Sequence, residues 1–209
     1  MDNGDFKERV RKEFQLKKGE IHQRLEEFRN VKKEEYFYEM IYCLLTPQSS
    51  ARNADLVVKK LKHLNFHRTN FNPEEILADK NNYIRFHKTK AERLIELKEN
   101  FHFVQDYLTN GKDDFELREW LVKNIKGLGY KEASHFLRNI GKRNLAILDR
   151  HILKNLKNLK VIRDIPKTLT KKKYLYIEKK FKRFSEEIGI TMDELDLLFW
   201  SMETGEILK

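Results

Sequence analysis

The stretch Gly127-Leu128-Gly129-Tyr130-Lys131 constrains the fold most, because it places two of the chain's eight glycines within five residues. Segments with the apolar spacing of amphipathic helices lie on both sides of it. Their apolar stripes comprise Leu117, Leu121 and Ile125 before the glycines, and Ala133, Phe136, Leu137 and Ile140 after them. The pattern predicts a helix over residues 115–125, a tight turn over residues 126–130, and a helix that begins near Lys131 and ends at Gly141. Together they would form a helix–hairpin–helix motif at about residues 115–140.

Helical signals also occupy most of the remaining sequence. Asp113 with Glu116, and Thr191 with Glu194, have the spacing of capping boxes. Another helical stripe repeats at i, i+3, i+4 and i+7 and comprises Ala54, Val57, Val58 and Leu61. No segment alternates apolar and polar residues convincingly, as a half-buried strand would. We therefore predict an all-α protein of about eight to ten helices, and, since no linker-like stretch or internal repeat occurs, a single domain over residues 1–209.

The charge balance points to a polyanionic partner. Lys and Arg total 43 against 33 Asp and Glu, which gives a net charge of +10 at pH 7. A basic excess of this size favours binding to nucleic acid or to an anionic membrane surface. A lysine-rich solvated surface is the alternative explanation.

Two features restrict the class of protein. Cys43 is the only cysteine, and it lies in an apolar run, so we expect a buried thiol and neither an intrachain disulfide nor a cysteine-ligated iron–sulfur cluster. The first nine residues are too charged for a signal peptide, and no apolar run approaches the roughly 18 residues of a membrane span. These observations predict a soluble, intracellular protein with no membrane-spanning segment.

The two glycines suggest what the hairpin could bind. Gly127 and Gly129 can adopt positive φ or allow close backbone approach. Their N–H groups, with those of the following helix turn, could point at one phosphate, which the helix dipole also favours. An ordinary glycine-rich connection between two helices is the alternative.

Lys131 and Asp149 are the candidate chemical groups. A lysine at a helix N-terminus opposes the helix dipole. That placement favours a neutral amine, which can attack an electrophilic carbon and form a Schiff base. Asp149 directly precedes a helical segment, so it could act as an N-cap, as a carboxylate that stabilises a sugar cation at C1′, or as both. A surface lysine and a purely structural cap are the alternatives, and we expect His135 and His151 to pack or hydrogen-bond rather than catalyse.

The hairpin and the segment around Asp149 resemble those of a known family. Residues 125–139, followed by Ala146-Ile147-Leu148-Asp149-Arg150-His151, resemble the helix–hairpin–helix DNA glycosylase superfamily. More narrowly, they resemble the compact 8-oxoguanine DNA glycosylase/AP lyase class of archaea and some bacteria. The segment 44–51 and the C-terminal segment from Glu194 to Lys209 resemble the same class, so the likeness touches most of the chain.

The resemblance implies a bifunctional repair enzyme with two helical lobes and an active-site cleft between them. Such an enzyme binds double-stranded DNA that contains oxidised guanine, extrudes the 8-oxoguanine nucleotide and breaks its N-glycosidic bond. Lys131 matches the nucleophile that attacks C1′, and Asp149 matches the aspartate that assists it. The Schiff base then allows β-elimination, which nicks the strand 3′ to the lesion. The family needs no metal or other cofactor.

The resemblance also suggests a base pocket and DNA contacts. The pocket would include Phe86, Trp200, the C-terminal Lys209 and Gln48, with core packing as the alternative for both aromatic residues. DNA contacts are expected from Arg52, Lys126, Gly127, Gly129 and Arg150. By the same resemblance we expect a monomer in a prokaryotic cytoplasm, associated with the nucleoid.

Two other functions remain open at this stage. A non-catalytic helix–hairpin–helix module that binds DNA would need the glycines but neither Lys131 nor Asp149. A glycosylase for another damaged base, such as thymine glycol or an alkylated purine, would share the same motif.

Overall fold

The computed structural model describes the backbone of residues 3–208 and the side chains of residues 6–208, and this part of the chain is all-α. It contains no β-strand, and two short 3-10 helices cover Lys33–Glu35 and Lys80–Asn82. Its ten α-helices are α1 (Asn3–Arg29), α2 (Tyr36–Leu45), α3 (Ala51–His63), α4 (Glu74–Ala78), α5 (His87–Thr109), α6 (Asp114–Asn124), α7 (Tyr130–Asn139), α8 (Arg150–Asn158), α9 (Lys171–Ile188) and α10 (Met192–Thr204). The predicted all-α class and number of helices are confirmed.

The chain divides into two compact units, which agrees with the two helical lobes expected from the resemblance. The first unit combines the N-terminal residues through Val31 with the chain from Leu137 onward, and the second unit spans Lys32–Phe136. Helix α7 therefore begins in the second unit and ends in the first.

In the first unit, α10 packs against α1, α8 and α9. Buried side chains of α10 such as Leu195, Leu198 and Phe199 supply the apolar surface. A buried ion pair joins Arg138 to Asp196, with 3.1 Å between the guanidinium and the carboxylate. The predicted capping box at the start of α10 is confirmed, because the side chains and backbone of Thr191 and Glu194 bond reciprocally.

In the second unit, α2 packs against α3 and α5. Eight of the ten residues of α2 are buried, which makes it the central helix of this unit. The predicted stripe of α3 is its buried face, and the thiol of Cys43 is fully buried, as expected.

The helices around the glycines differ slightly from the predicted bounds. Helix α6 begins at Asp114, one residue early, because the Asp113 carboxylate accepts hydrogen bonds from the N–H groups of Phe115 and Glu116. Helix α7 ends at Asn139 rather than at Gly141, which adopts φ +87°. The N–H groups of Gly141 and Lys142 bond back to the carbonyls of Arg138 and Leu137, and this Schellman motif terminates the helix.

Among the residues that the structure describes, no helix combines the length and the apolar character needed to span a bilayer.

Candidate active site

The turn between α6 and α7 requires glycine at position 127. Gly127 has φ +93°, a conformation that side-chain-bearing residues rarely adopt. A Cβ atom there would also lie 2.9 Å from the Arg93 side chain and 3.1 Å from Leu44 Cδ2. The buried Leu128 side chain anchors the turn, and its N–H donates to the Ile125 carbonyl at 3.2 Å. The turn is therefore a closely packed hairpin rather than a loose connection.

Gly129 directly precedes α7 as its N-cap residue, and its N–H group is already bonded to a carboxylate. Its carbonyl accepts the first α7 hydrogen bond, from the N–H of Ala133 at 2.9 Å. Its own N–H donates to Glu132 Oε2 at 3.2 Å. A carboxylate thus occupies one of the N–H groups that were predicted to bind a phosphate, and phosphate binding there stays a prediction.

Lys131 is the second residue of α7, and its side chain is 24% exposed. Its Nζ atom lies 3.6 Å from Oε1 of the neighbouring Glu132. The same carboxylate therefore contacts both the hairpin N–H and the candidate nucleophile. Glu132 was not among the residues predicted to form the site, although an acidic residue three positions after a helix cap is a common signal.

Lys90, a buried lysine of α5, adds positive charge near Lys131. Burial, the charge of Arg93 and the charge of Lys131 lower the pKa of Lys90 to about 8, against a smaller opposing effect of Glu132. Lys90 is only 3% exposed, so it is a fixed part of the interior rather than a mobile surface cation. Lys90 was not among the residues predicted to form the site.

Asp149 is the N-cap of α8, as predicted, and both of its carboxylate oxygens are engaged. Oδ1 accepts hydrogen bonds from the N–H groups of His151 and Ile152, both at 2.8 Å. Oδ2 accepts one from the indole N–H of Trp200 at 3.1 Å. Three donors therefore fix the orientation of this carboxylate, and the indole donor had no signal in the sequence.

The Trp200 ring also lies beside His151, with 5.4 Å between ring centroids. Arg150 Nε donates to His151 Nε2 at 3.1 Å, which leaves the ring proton on Nδ1. Nδ1 lies 4.0 Å from the carboxylate of Glu203. His151 thus hydrogen-bonds and packs, as expected, and Trp200 is half-buried rather than fully enclosed in the core.

Gln48 and Phe86, the other two described pocket candidates, share an unusual backbone conformation. Gln48 has φ +56° and Phe86 has φ +61°, in the left-handed region that residues other than glycine and asparagine rarely adopt. Both side chains are exposed, so the core-packing alternative for Phe86 does not hold. The Arg85 guanidinium lies 5.0 Å above the Phe86 ring. Strain of this kind often accompanies a functional site.

The remaining candidates are surface residues. Arg52, Lys126 and Arg150 are exposed, and Lys126 forms an ion pair with Glu96 at 2.9 Å. Their contacts with DNA stay predictions. Lys209, the fourth pocket candidate, lies outside the described residues.

The sequence and the fold both match known proteins. Residues 21–190 match the profile of a family described as 8-oxoguanine DNA glycosylase. A Fusobacterium nucleatum protein named 8-oxoguanine DNA glycosylase/AP lyase is 42% identical over 100% of both chains. A Methanocaldococcus jannaschii protein of the same name is 38% identical over 96% of this chain and 99% of its own length.

Solved structures match the fold over nearly the whole chain. One is the crystal structure of the 8-oxoguanine glycosylase/lyase of M. jannaschii in complex with a 15mer DNA that contains 8-oxoguanine. It has a TM-score of 0.85 and 38% identity, and the match covers 96% of this chain and 99% of that one. Another is the 8-oxoguanine DNA glycosylase of Thermotoga maritima, with a TM-score of 0.87 and 32% identity over 100% of both chains.

Proposed function

Because this chain belongs to the 8-oxoguanine DNA glycosylase family, we propose that it excises 8-oxoguanine from double-stranded DNA and then cleaves the strand at the abasic site. Its match to relatives of this activity extends over the whole chain. The observation that carries the proposal is the position of Lys131. It presents an amine in the first turn of the second hairpin helix, directly after the turn built on Gly127 and Gly129.

Lys131 is the nucleophile in this proposal. As the bond between C1′ and the base nitrogen breaks, the amine forms a bond to C1′, and the base leaves with the bonding electrons. Opening of the sugar ring gives a Schiff base between Nζ and C1′. Loss of a proton from C2′ then expels the 3′ phosphate oxygen, and hydrolysis of the imine restores the amine. These chemical steps account for both excision and strand cleavage.

Asp149 stabilises the positive charge that develops on the sugar during excision. A carboxylate is effective in this role when it is already oriented and does not have to reorganise as charge develops. The two backbone N–H groups of α8 and the indole of Trp200 provide that orientation. Trp200 accordingly has a second role besides stacking on the extruded base, which we assign to Trp200 and Phe86. We assign to Gln48 a hydrogen bond to the edge of that base.

The hairpin binds a phosphate of the damaged strand. The Gly129 N–H group donates a hydrogen bond to this phosphate. The phosphate thereby displaces the Glu132 carboxylate, which accepts from the same N–H group in the free protein. Basic side chains, including Arg52, Lys126 and Arg150, extend the contact with the duplex backbone. In this proposal the protein acts on the chromosome as a monomer.

A borohydride trapping experiment tests the nucleophile. The wild-type protein, mixed with a duplex that contains one 8-oxoguanine and treated with borohydride, should form a covalent protein–DNA adduct. Lys131→Gln should abolish the adduct. Lys123→Gln, which removes an exposed lysine from the last turn of α6, should leave it unchanged. An undiminished adduct with Lys131→Gln would show that another amine attacks the sugar.

A panel of lesions tests the substrate. Duplexes with 8-oxoguanine, thymine glycol or an alkylated purine at one position should be compared under single-turnover conditions. Fastest excision of 8-oxoguanine is the expected result, and faster excision of another base would reassign the specificity. Equal affinity for damaged and undamaged duplexes without any strand cleavage would instead indicate a non-catalytic DNA-binding module.

A further inference from the structure

Lys90 is the centre of a buried hydrogen-bond cluster that the proposed chemistry does not use. Its ammonium group donates to the carbonyl oxygens of Leu45 and Pro47, both at 2.7 Å, and to the hydroxyl of Ser49 at 3.2 Å. An ammonium group has three protons, so each is matched to one oxygen. We call Lys90, Ser49 and the two carbonyl groups the Lys90 cluster.

The buried ammonium group of Lys90 is unusual, because two carbonyl oxygens and a hydroxyl accept its hydrogen bonds and no carboxylate of the described residues does. Removal of an ammonium group from water carries a large free-energy penalty unless strong hydrogen bonds replace the hydration. All three acceptors belong to residues 45–49, the last residue of α2 and the loop that leads to α3. Lys90 therefore uses its charge to fix the path of one short loop.

The cluster also fixes a second segment. The Ser49 hydroxyl that accepts from Lys90 accepts as well from the backbone N–H of Arg85 at 3.0 Å. The backbone N–H of Lys90 donates to the carbonyl of Phe86 at 2.9 Å. Through these bonds the Lys90 cluster joins the loop at 45–49 to the residues that precede α5.

Each of the two joined segments contains one strained residue. Gln48 lies in the first and Phe86 in the second, and both adopt positive φ with exposed side chains. Left-handed backbone at such residues is unfavourable, and it persists only when the surroundings enforce it. In the second unit, the Lys90 cluster provides hydrogen bonds next to both residues.

We propose that Lys90 is a positioning residue for base recognition, which acts through Ser49 to hold Gln48 and Phe86 in the conformations that bind the extruded base. This proposal rests on the proposed function and on the assignment of Gln48 and Phe86 to the base pocket. It predicts that a defect in the cluster impairs the step that needs base recognition, which is excision. Cleavage at an abasic site that already lacks the base does not need that step.

Four variants separate positioning from other effects. Lys90→Met removes the ammonium group and keeps the length of the side chain, and Lys88→Met is the matched control because Lys88 is exposed on the same helix. Ser49→Ala removes the bridging hydroxyl without any change in charge, whereas Ser49→Thr retains it. Each variant is assayed under single-turnover conditions on two duplexes, one with 8-oxoguanine and one with a preformed abasic site. Borohydride trapping on the abasic duplex measures the active fraction.

Lys90→Met and Ser49→Ala should each slow excision of 8-oxoguanine by about tenfold or more, as displaced recognition groups do. Their cleavage of the abasic duplex, corrected for active fraction, should stay within about twofold of the wild type, a change too small to reflect displaced catalytic groups. Ser49→Thr and Lys88→Met should retain wild-type rates on both duplexes.

Three results would overturn the proposal. Equal losses on both duplexes after correction would mean that the cluster serves the fold or the common chemistry. A loss of abasic-site cleavage in Lys90→Met alone would mean that its charge acts on Lys131. Unchanged excision in Ser49→Ala would remove the link to the recognition residues. If the wild-type protein itself left 8-oxoguanine intact, the proposed function would be wrong, and the role of the Lys90 cluster in base recognition would be overturned with it.

Discussion

The indole N–H of Trp200 donates a hydrogen bond to Oδ2 of Asp149 at 3.1 Å. Trp200 lies on α10 and Asp149 directly precedes α8. These two helices pack against each other within the first unit. Since Oδ1 already accepts two backbone N–H groups, the indole determines where the second oxygen points. Trp200 thus affects the proposed catalytic carboxylate directly, whatever contact its ring makes with the base.

This relationship predicts a partial defect in Trp200→Phe. Phenylalanine keeps an aromatic ring for stacking and removes only the N–H donor. A hydrogen bond to a charged group contributes about 1.5–3 kcal/mol, so we expect excision to slow by about tenfold to a hundredfold. Single-turnover excision of 8-oxoguanine measures the effect. Trp120→Phe is the control, because Trp120 belongs to the second unit and stacks on Tyr107, with 4.4 Å between ring centroids. Wild-type excision by Trp200→Phe would limit the indole to a packing role.

Substitutions of Asp149 separate its cap from its proposed chemistry. Asparagine caps helices as well as aspartate does, whereas alanine costs about 1 kcal/mol. Asp149→Asn should therefore keep the cap bonds and lose only the acceptor for the Trp200 indole N–H. Asp149→Ala should lose the cap as well, so its free energy of unfolding in urea should be about 1 kcal/mol lower than that of Asp149→Asn. Both should slow excision by at least about a hundredfold, because both lose the negative charge.

Asp113 provides the matched control for that pair. It caps α6 through the same kind of bonds to two backbone N–H groups. Asp113→Ala should lose about 1 kcal/mol of its free energy of unfolding, the cost of a lost cap, and should retain excision. Full excision activity in Asp149→Asn would reduce Asp149 to a helix cap.

Much of this architecture was predictable from the sequence, because helical periodicity and glycine placement act locally. The hairpin, the buried stripe of α3 and the cap at Asp149 depend on residues within one or two helical turns of each other. The bond from Trp200 to Asp149 joins positions 51 residues apart, so no local pattern reports it. Lys90 lies in a charged stretch, and a pattern of residue types does not show that one of its lysines is buried.

The positive φ angles of Gln48 and Phe86 were not predictable for a different reason. Left-handed backbone is expected at glycine and sometimes at asparagine, and neither glutamine nor phenylalanine signals it. Tertiary hydrogen bonds around Ser49 impose the conformation. The family resemblance therefore pointed to both residues, whereas the hydrogen bonds that constrain them appear only in the structure.

The Glu132 carboxylate predicts an effect on DNA affinity. It bonds to the Gly129 N–H and would have to leave when a phosphate takes that group. Glu132→Gln keeps an oxygen acceptor for the hairpin and removes the negative charge. We expect duplex affinity to rise by about threefold at low salt, with a smaller gain at high salt because salt screens the repulsion.

Fluorescence anisotropy in a Lys131→Gln background measures this affinity without turnover. Glu116→Gln, an exposed substitution in the first turn of α6, controls for the general change in net charge. A gain in both variants would assign the effect to net charge rather than to the hairpin. No gain in Glu132→Gln would indicate that a phosphate does not compete for this N–H group.

The lowered pKa of Lys90 predicts how stability depends on pH. Burial is the main cause, and the charges that face Lys90 are Arg93 on its own helix and Lys131 and Glu132 on α7. The folded protein holds this proton up to about pH 8, whereas the unfolded chain holds it up to about pH 10.5, the ordinary pKa of lysine. Between these two values the unfolded state binds more protons, so the free energy of unfolding should rise with pH.

Comparison with Lys90→Met isolates this contribution from other groups that titrate at alkaline pH. Urea unfolding at a series of pH values from neutral to alkaline should show the wild-type free energy rising relative to the variant by about 3 kcal/mol at most. The gain occurs although a neutral amine satisfies only two of the three oxygens, because burial of the charge is the larger cost. The same deprotonation should slow excision more than abasic-site cleavage above about pH 8, since the loop at 45–49 loses one of its hydrogen bonds. If the free energies of unfolding of the two proteins changed in parallel with pH, Lys90 would keep its proton throughout. The hydrogen bonds from the Lys90 cluster to the loop at 45–49 would then be independent of pH.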